Sequence, residues 1–210
     1  MRPRGLLFGA LLCALPASGG SVQLSEDQID ALTSIDEAPA RAQIDLAFGP
    51  SQSVPALIAI ATDPSKDLGL QIRAIRTLPQ YCEAANCAGA VHDTLVSIIT
   101  SYRALLPTPL LSTDVLRLRA AIEALGATHS GLRTDVDLLT NQPLLHHPSR
   151  DLQATAVHAL RNLCSPDLCD HDACSEADRE VRALRSGAGD TQVDAAINSA
   201  LQDLAACDQP

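Results

Sequence analysis

The chain has 210 residues, enough for one domain or one short repeat array, and its 46% hydrophobic and 19% charged content excludes disorder and collagen-like sequence. Fifteen basic residues stand against 25 acidic ones, for a formal charge of −10, and Lys66 is the single lysine, so the clustered cations that grip a phosphate backbone are missing. There is no tryptophan, and Phe8, Phe48, Tyr81 and Tyr102 are the only aromatic residues, too few for a stacking platform that binds single-stranded nucleic acid.

Arg2 and Arg4, an apolar run over 5–15 and the small residues Ala17, Ser18 and Gly19 read as a secretory signal peptide over 1–19, with 20–210 as the mature domain. The run is shorter than the roughly 20 apolar residues a spanning helix needs, and no other segment comes closer. Without Arg2 and Arg4 the mature chain keeps 13 cations against 25 acids. The rival reading is a lipoprotein anchored at Cys13, against which Leu12 counts, because a lipobox places a small residue there. The expected location is therefore exported, periplasmic or extracellular.

The first helix starts at Glu26, where Ser25 and Gln28 have the spacing of a capping box. Apolar periodicity then predicts helices near 26–35, 38–48, 53–62, 67–80, 88–105, 113–126, 132–142, 149–163, 175–186 and 191–206, with no competing strand signal. Six cysteines follow the signal segment: Cys82, Cys87, Cys164, Cys169, Cys174 and Cys207. An even number in an exported chain points to disulfides. Five-residue spacing favours Cys82 with Cys87 and Cys164 with Cys169. Gly187-Ala188-Gly189-Asp190 turns the last two helices into a hairpin, with Val193, Ile197, Leu201 and Leu204 as an apolar seam, which brings Cys174 beside Cys207 as a staple on the terminal hairpin. The alternative is zinc on Cys164, Cys169, His171 and Cys174, although C-x4-C-x-H-x2-C lacks the close C-x2-C knuckle. No metal or cofactor is expected.

Three segments are self-similar: Ile72-Arg73-Ala74-Ile75-Arg76-Thr77-Leu78, Arg119-Ala120-Ala121-Ile122-Glu123-Ala124-Leu125 and Ala154-Thr155-Ala156-Val157-His158-Ala159-Leu160. Leu78 and Leu160 are 82 apart, and the same offset superposes Cys82 on Cys164 and Cys87 on Cys169. Two repeats of about 41 residues fill that interval, a period typical of stacked helical hairpins. Val54-Pro55-Ala56-Leu57-Ile58-Ala59-Ile60-Ala61-Thr62-Asp63-Pro64, followed by Leu70 to Leu78, resembles the end of one HEAT unit and the start of the next. Leu145-His146-His147-Pro148-Ser149 before Asp151-Leu152-Gln153-Ala154 repeats the punctuation. The resemblance spans most of 38–163. It departs from the family pattern at Gly126 to Gly131, a turn without cysteines, and at the long Pro-containing connection 101–112. It implies an all-α fold: an α-solenoid of about four HEAT-like hairpins, closed by the disulfide-stapled C-terminal one. It also implies that Arg73 or Arg76 reaches an acidic turn, Asp63 or Asp67, to join stacked units.

No G-x-S-x-G, H-E-x-x-H or Gly-rich phosphate loop is present, and no catalytic residue is assigned. No histidine precedes a glutamate, which excludes the HEAT-like hydroxylases that use His-Glu ligands. The acidic, Trp-free composition excludes HEAT-like DNA glycosylases, and export with few aromatics argues against HEAT-like bilin lyases. His146 and His147 could share a metal but read as solvated turn residues. His171-Asp172 lacks a nucleophile nearby. Arg179, Arg182 and Arg185 read as a solvated face with Glu176, Asp178 and Glu180. Family shape implies that a partner meets the inner helices 53–62, 88–105 and 132–142, whose polar offerings are His92, Asp93, Tyr102, Arg103 and Asp135, with Ser101 and Asp137. The expected function is a non-enzymatic scaffold or adaptor for a protein partner. Alternatives are a structural subunit of an envelope complex, or a metal-binding or enzymatic accessory protein using Cys164 to Cys174 or His146 and His147.

Overall fold

The computed structural model describes residues 23–33, 38–82, 87, 89–106, 109–140, 144–164, 171–185 and 191–207, without the side chains of 171 and 205–207. Among the described residues there are ten α-helices and no strand, so the fold is all-α. They are α1 (Glu26–Thr33), α2 (Arg41–Phe48), α3 (Ser53–Thr62), α4 (Leu68–Thr77), α5 (Ala90–Arg103), α6 (Ser112–Gly126), α7 (Arg133–Thr140), α8 (Arg150–Leu163), α9 (His171–Arg185) and α10 (Thr191–Cys207). None of these described helices is long and apolar enough to cross a membrane alone.

Local chemistry sets the boundaries. Gln28 donates its backbone N–H to Ser25 Oγ at 3.3 Å and its Oε1 accepts from Ser25 N–H at 3.0 Å, closing the expected capping box at α1. Asp67 caps α4, accepting from the backbone of Gly69 at 2.8 Å and Leu70 at 3.3 Å. The expected helix over 67–80 is an α-helix only to Thr77. Leu78–Tyr81 form a single 3₁₀ turn, because Pro79 has no N–H for the α-helical ladder. Helix α2 begins at Arg41, after an extended Ala40 that follows Pro39.

Helices pack in consecutive pairs, α3 with α4, α5 with α6, α7 with α8 and α9 with α10. Alternate helices then form a row in which α4 lies on α6, α6 on α8 and α8 on α10, while α1 rests on α4 and α2. Ile75, Leu78, Leu118, Ile122, Leu125, Val157 and Leu160 are fully buried along this row, each contributing about 1.5–3 kcal/mol of burial. Small residues bring the helices close. A Cβ on Gly126 would stand 2.7 Å from Ala159 Cα and 2.9 Å from its Cβ, so α6 and α8 nearly touch there.

Four polar ties between elements span 41 to 47 residues, beside shorter ones of 36 (Tyr81–Asp45) and 33 (His129–Asn162). Gln80 Nε2 donates to Pro39 O across 41 residues, Arg161 pairs with Asp203 across 42, His92 meets Asp135 across 43, and Arg76 pairs with Glu123 across 47. Arg76 joins stacked helices, but through Glu123 on α6 at 2.6 Å rather than through Asp63 or Asp67.

The disulfides differ in part from expectation. Cys82 and Cys87 are joined, but Cys164 is bonded to Cys174, which rules out the expected pairs Cys164–Cys169 and Cys174–Cys207. The reason lies in α9, which starts at His171 rather than 175. Cys174 is thus in its first turn, 5.6 Å between Cα atoms from Cys164 at the end of α8. Both cysteines are buried, and the bond ties α8 to α9 instead of closing the terminal hairpin. Cys169 and the Cys207 side chain lie outside the described residues, as do residues 1–19, the expected signal peptide, with Cys13.

Candidate functional site

Two backbone reversals bring together residues 43 apart. Gly89, at φ 99, lets the chain enter α5, placing His92 in its first turn. After α6, His129 (φ 48) and Gly131 (φ 61) fold the chain into α7, and His129 Nδ1 donates to Asn162 O at 3.1 Å. Asp135 follows in the first turn of α7. Its Oδ1 accepts from His92 Nε2 at 2.8 Å and its Oδ2 from Ser130 Oγ at 2.5 Å. His92 Nδ1 also lies 3.5 Å from Asp93 Oδ1.

Asp135 is 1% exposed, so both oxygens need donors, and both have them. Burial pushes the His92 pKa down, but the Asp135 hydrogen bond and charge, helped by Asp93, prevail and hold it above the ordinary imidazole value. A nucleophile-base relay would have the serine hydrogen-bonded to the imidazole. Here Ser130 and His92 both donate to the carboxylate, so the serine is not activated. The array braces α5 against the turn into α7.

The other expected partner residues are distributed differently. Tyr102 is buried, its hydroxyl accepting from Arg117 Nη1 at 2.7 Å, and burial raises its pKa. The Asp93 side chain is 78% exposed and Arg103 is partly exposed at the end of α5. Of the five, Asp93 and Arg103 reach solvent most freely, while Tyr102 and Asp135 are spent on internal bonds. Ser101 donates inward to Ile98 O, and Asp137 lies 3.7 Å from Arg133.

A second polar cluster, whose sequence signal is limited to the i,i+4 pair Arg41 and Asp45 on α2, surrounds Asp45. Its Oδ1 accepts from Ser53 Oγ at 2.7 Å and Tyr81 Oη at 2.8 Å, and Arg41 Nε lies 3.5 Å from Oδ2. The Arg41 guanidinium also stands 4.9 Å from the Tyr81 ring centroid. The Ser53 and Tyr81 bonds lower the Asp45 pKa, with Arg41 adding to them against burial. This cluster ties α2 to α3 and to the 3₁₀ turn.

His147 is buried and its Nδ1 accepts from the Ser149 backbone at 2.9 Å, while His146 is exposed. The adjacent histidines therefore face different surroundings, and burial lowers the His147 pKa. Arg179 lies within 3.5 Å of Glu176 and Glu180, and Arg182 bonds Asp178 at 2.5 Å, pairing along α9. Asp178 is buried and its Oδ1 has no hydrogen-bond partner among the described residues. Among the described residues no group of three or more His, Cys, Asp or Glu side chains is placed to hold a metal. Of the possible zinc set, Cys164 and Cys174 are bonded to each other, while Cys169 and the His171 side chain lie outside the described residues. Compared with family models and with curated proteins, the chain matches none.

Proposed function

We propose that this chain is an exported, HEAT-like helical-repeat protein that acts as a non-enzymatic adaptor for another protein. The observation that carries the reading is the row α4, α6, α8, α10, tied by side-chain bonds about one repeat apart. A stack of this kind offers an extended surface for recognition. Two disulfides agree with an oxidising location, as does the signal-like N-terminal sequence. On this reading the partner meets the side formed by α3, α5 and α7, where Asp93 and Arg103 are available and the His92–Asp135 brace holds two of the helices in register. Cross-linking in intact cells, followed by purification and mass spectrometry, tests it. One dominant partner cross-linked within 53–62, 90–103 or 133–140 is the expected result; recovery of the protein alone would remove the basis for the adaptor.

A further inference from the structure

The first two described helices carry a surface that no other described element covers. Asp27, Asp30 and Ala31 on α1, and Gln43, Leu46 and Ala47 on α2, line an open groove of about 460 Å³. Their spacings of three and four place each set on one face of its helix. The two helices are held together at the groove, where Gln28 Nε2 donates to Ala47 O at 3.4 Å. Leu46 is 89% exposed, more than any other large apolar side chain described, and Ile29 on α1 is also exposed. The end unit of a stacked array normally closes with a polar outer face, so a leucine standing in solvent between two helices is an unfilled contact.

Charge decides what can fill it. Helix α1 carries Glu26, Asp27 and Asp30 and no basic residue, and no lysine or arginine occurs anywhere from 5 to 40. Arg41, the next cation along the chain, pairs with Asp45 and stacks on Tyr81. A second copy of the chain would bring the same carboxylates against this rim, and an anionic lipid surface would be repelled by it. We infer that the α1–α2 groove docks a cationic amphipathic segment of another protein, with an apolar side chain against Leu46, Ala31 and Ala47 and flanking lysines or arginines against Asp27 and Asp30.

This inference rests on the reading of the chain as a protein-binding adaptor but places a contact outside α3, α5 and α7. The test is a titration of the ¹⁵N-labelled protein with a helical peptide carrying leucines on one face and lysines elsewhere, and with its counterpart bearing glutamate for every lysine. The lysine peptide is expected to shift amides of α1 and α2 around the groove and to weaken with added salt, and the glutamate peptide to leave them unmoved. Leu46→Asp, at a site too exposed to disturb the core, should weaken binding about tenfold, and Asp27→Asn with Asp30→Asn should flatten the salt dependence. Equal binding of both peptides, indifference to Leu46→Asp, or no shift in α1 and α2 overturns the groove. Shifts confined to α3, α5 and α7 would overturn it while leaving the adaptor reading standing.

Discussion

Asp135 sits in the interior with a separate donor on each of its oxygens, and one of those donors can itself titrate. The folded-state pKa of His92 is raised above an unfolded value of about 6.5. Its contribution to stability is therefore complete below that unfolded value and is lost as pH rises through the folded one. His147 runs the other way. Its folded pKa is lowered by burial, so its contribution is present at high pH and lost on acidification through the folded value. The stability deficit of His92→Gln in urea unfolding should thus be larger at about pH 5.5 than at about pH 8.5, and that of a His147→Asn variant larger at the alkaline end. A His92→Gln deficit independent of pH would mean the imidazole stays neutral in the brace. Asp135→Ala, which strands both donors, should cost roughly 2–4 kcal/mol. His92 and Asp135 were legible as polar residues on two of the expected inner helices, 43 residues apart. Their inward orientation was not, because helical periodicity locates a polar residue on a face without saying what the opposite helix offers it. Ser130 went unnoticed for a related reason: in a Gly-containing turn a serine looks like turn chemistry, and its bond to Asp135 depends on the left-handed backbone at His129 and Gly131.

At the scale of elements, nearly all helices were readable from apolar spacing, and the misplaced ends have local causes. Pro79 converts the end of α4 to 3₁₀ geometry, and α9 extends four residues upstream through His171 to Cys174, a stretch too polar to show periodicity. Gly126 was legible only as the residue before a turn. Its actual role is to let α6 and α8 approach, since the first obstacle to an added methyl is Ala159 Cα, part of the main chain. Gly126→Ala should therefore destabilise by about 1–3 kcal/mol, even though alanine is favoured over glycine inside a helix by about 0.8–1 kcal/mol. Ala159→Gly in the same chain should restore only part of the loss, because it removes the Cβ at 2.9 Å and leaves the Cα at 2.7 Å. Chemical denaturation of the three variants checks this, and a stabilised Gly126→Ala protein would show that the helices separate freely.

Over the whole molecule, the all-helical architecture was visible in sequence, whereas the cysteine pairing was not, because loop spacing alone cannot say where the next helix begins. With α9 starting at His171, the bond between Cys164 and Cys174 joins the last turn of one hairpin to the first turn of the next. Cleavage of the unreduced protein before Asp167, Asp170 and Asp172 separates Cys164, Cys169 and Cys174. The fragment bearing Cys164 should emerge linked to the one bearing Cys174, and a Cys164–Cys169 fragment would contradict the architecture. Replacing Cys164 and Cys174 with alanine should lower stability by roughly 2–3 kcal/mol on the chain-entropy account of a short loop. The ties at separations of 41, 42, 43 and 47 residues bear on how such a chain can change in length. On the proposed repeat reading each of these four ties reaches about one unit ahead, so removing or adding a whole unit would let a donor meet the equivalent position of a new neighbour. Losing one helix shifts the register by half a unit and leaves an arginine or a buried carboxylate facing the wrong row. A chain of the proposed kind would lengthen or shorten in whole steps.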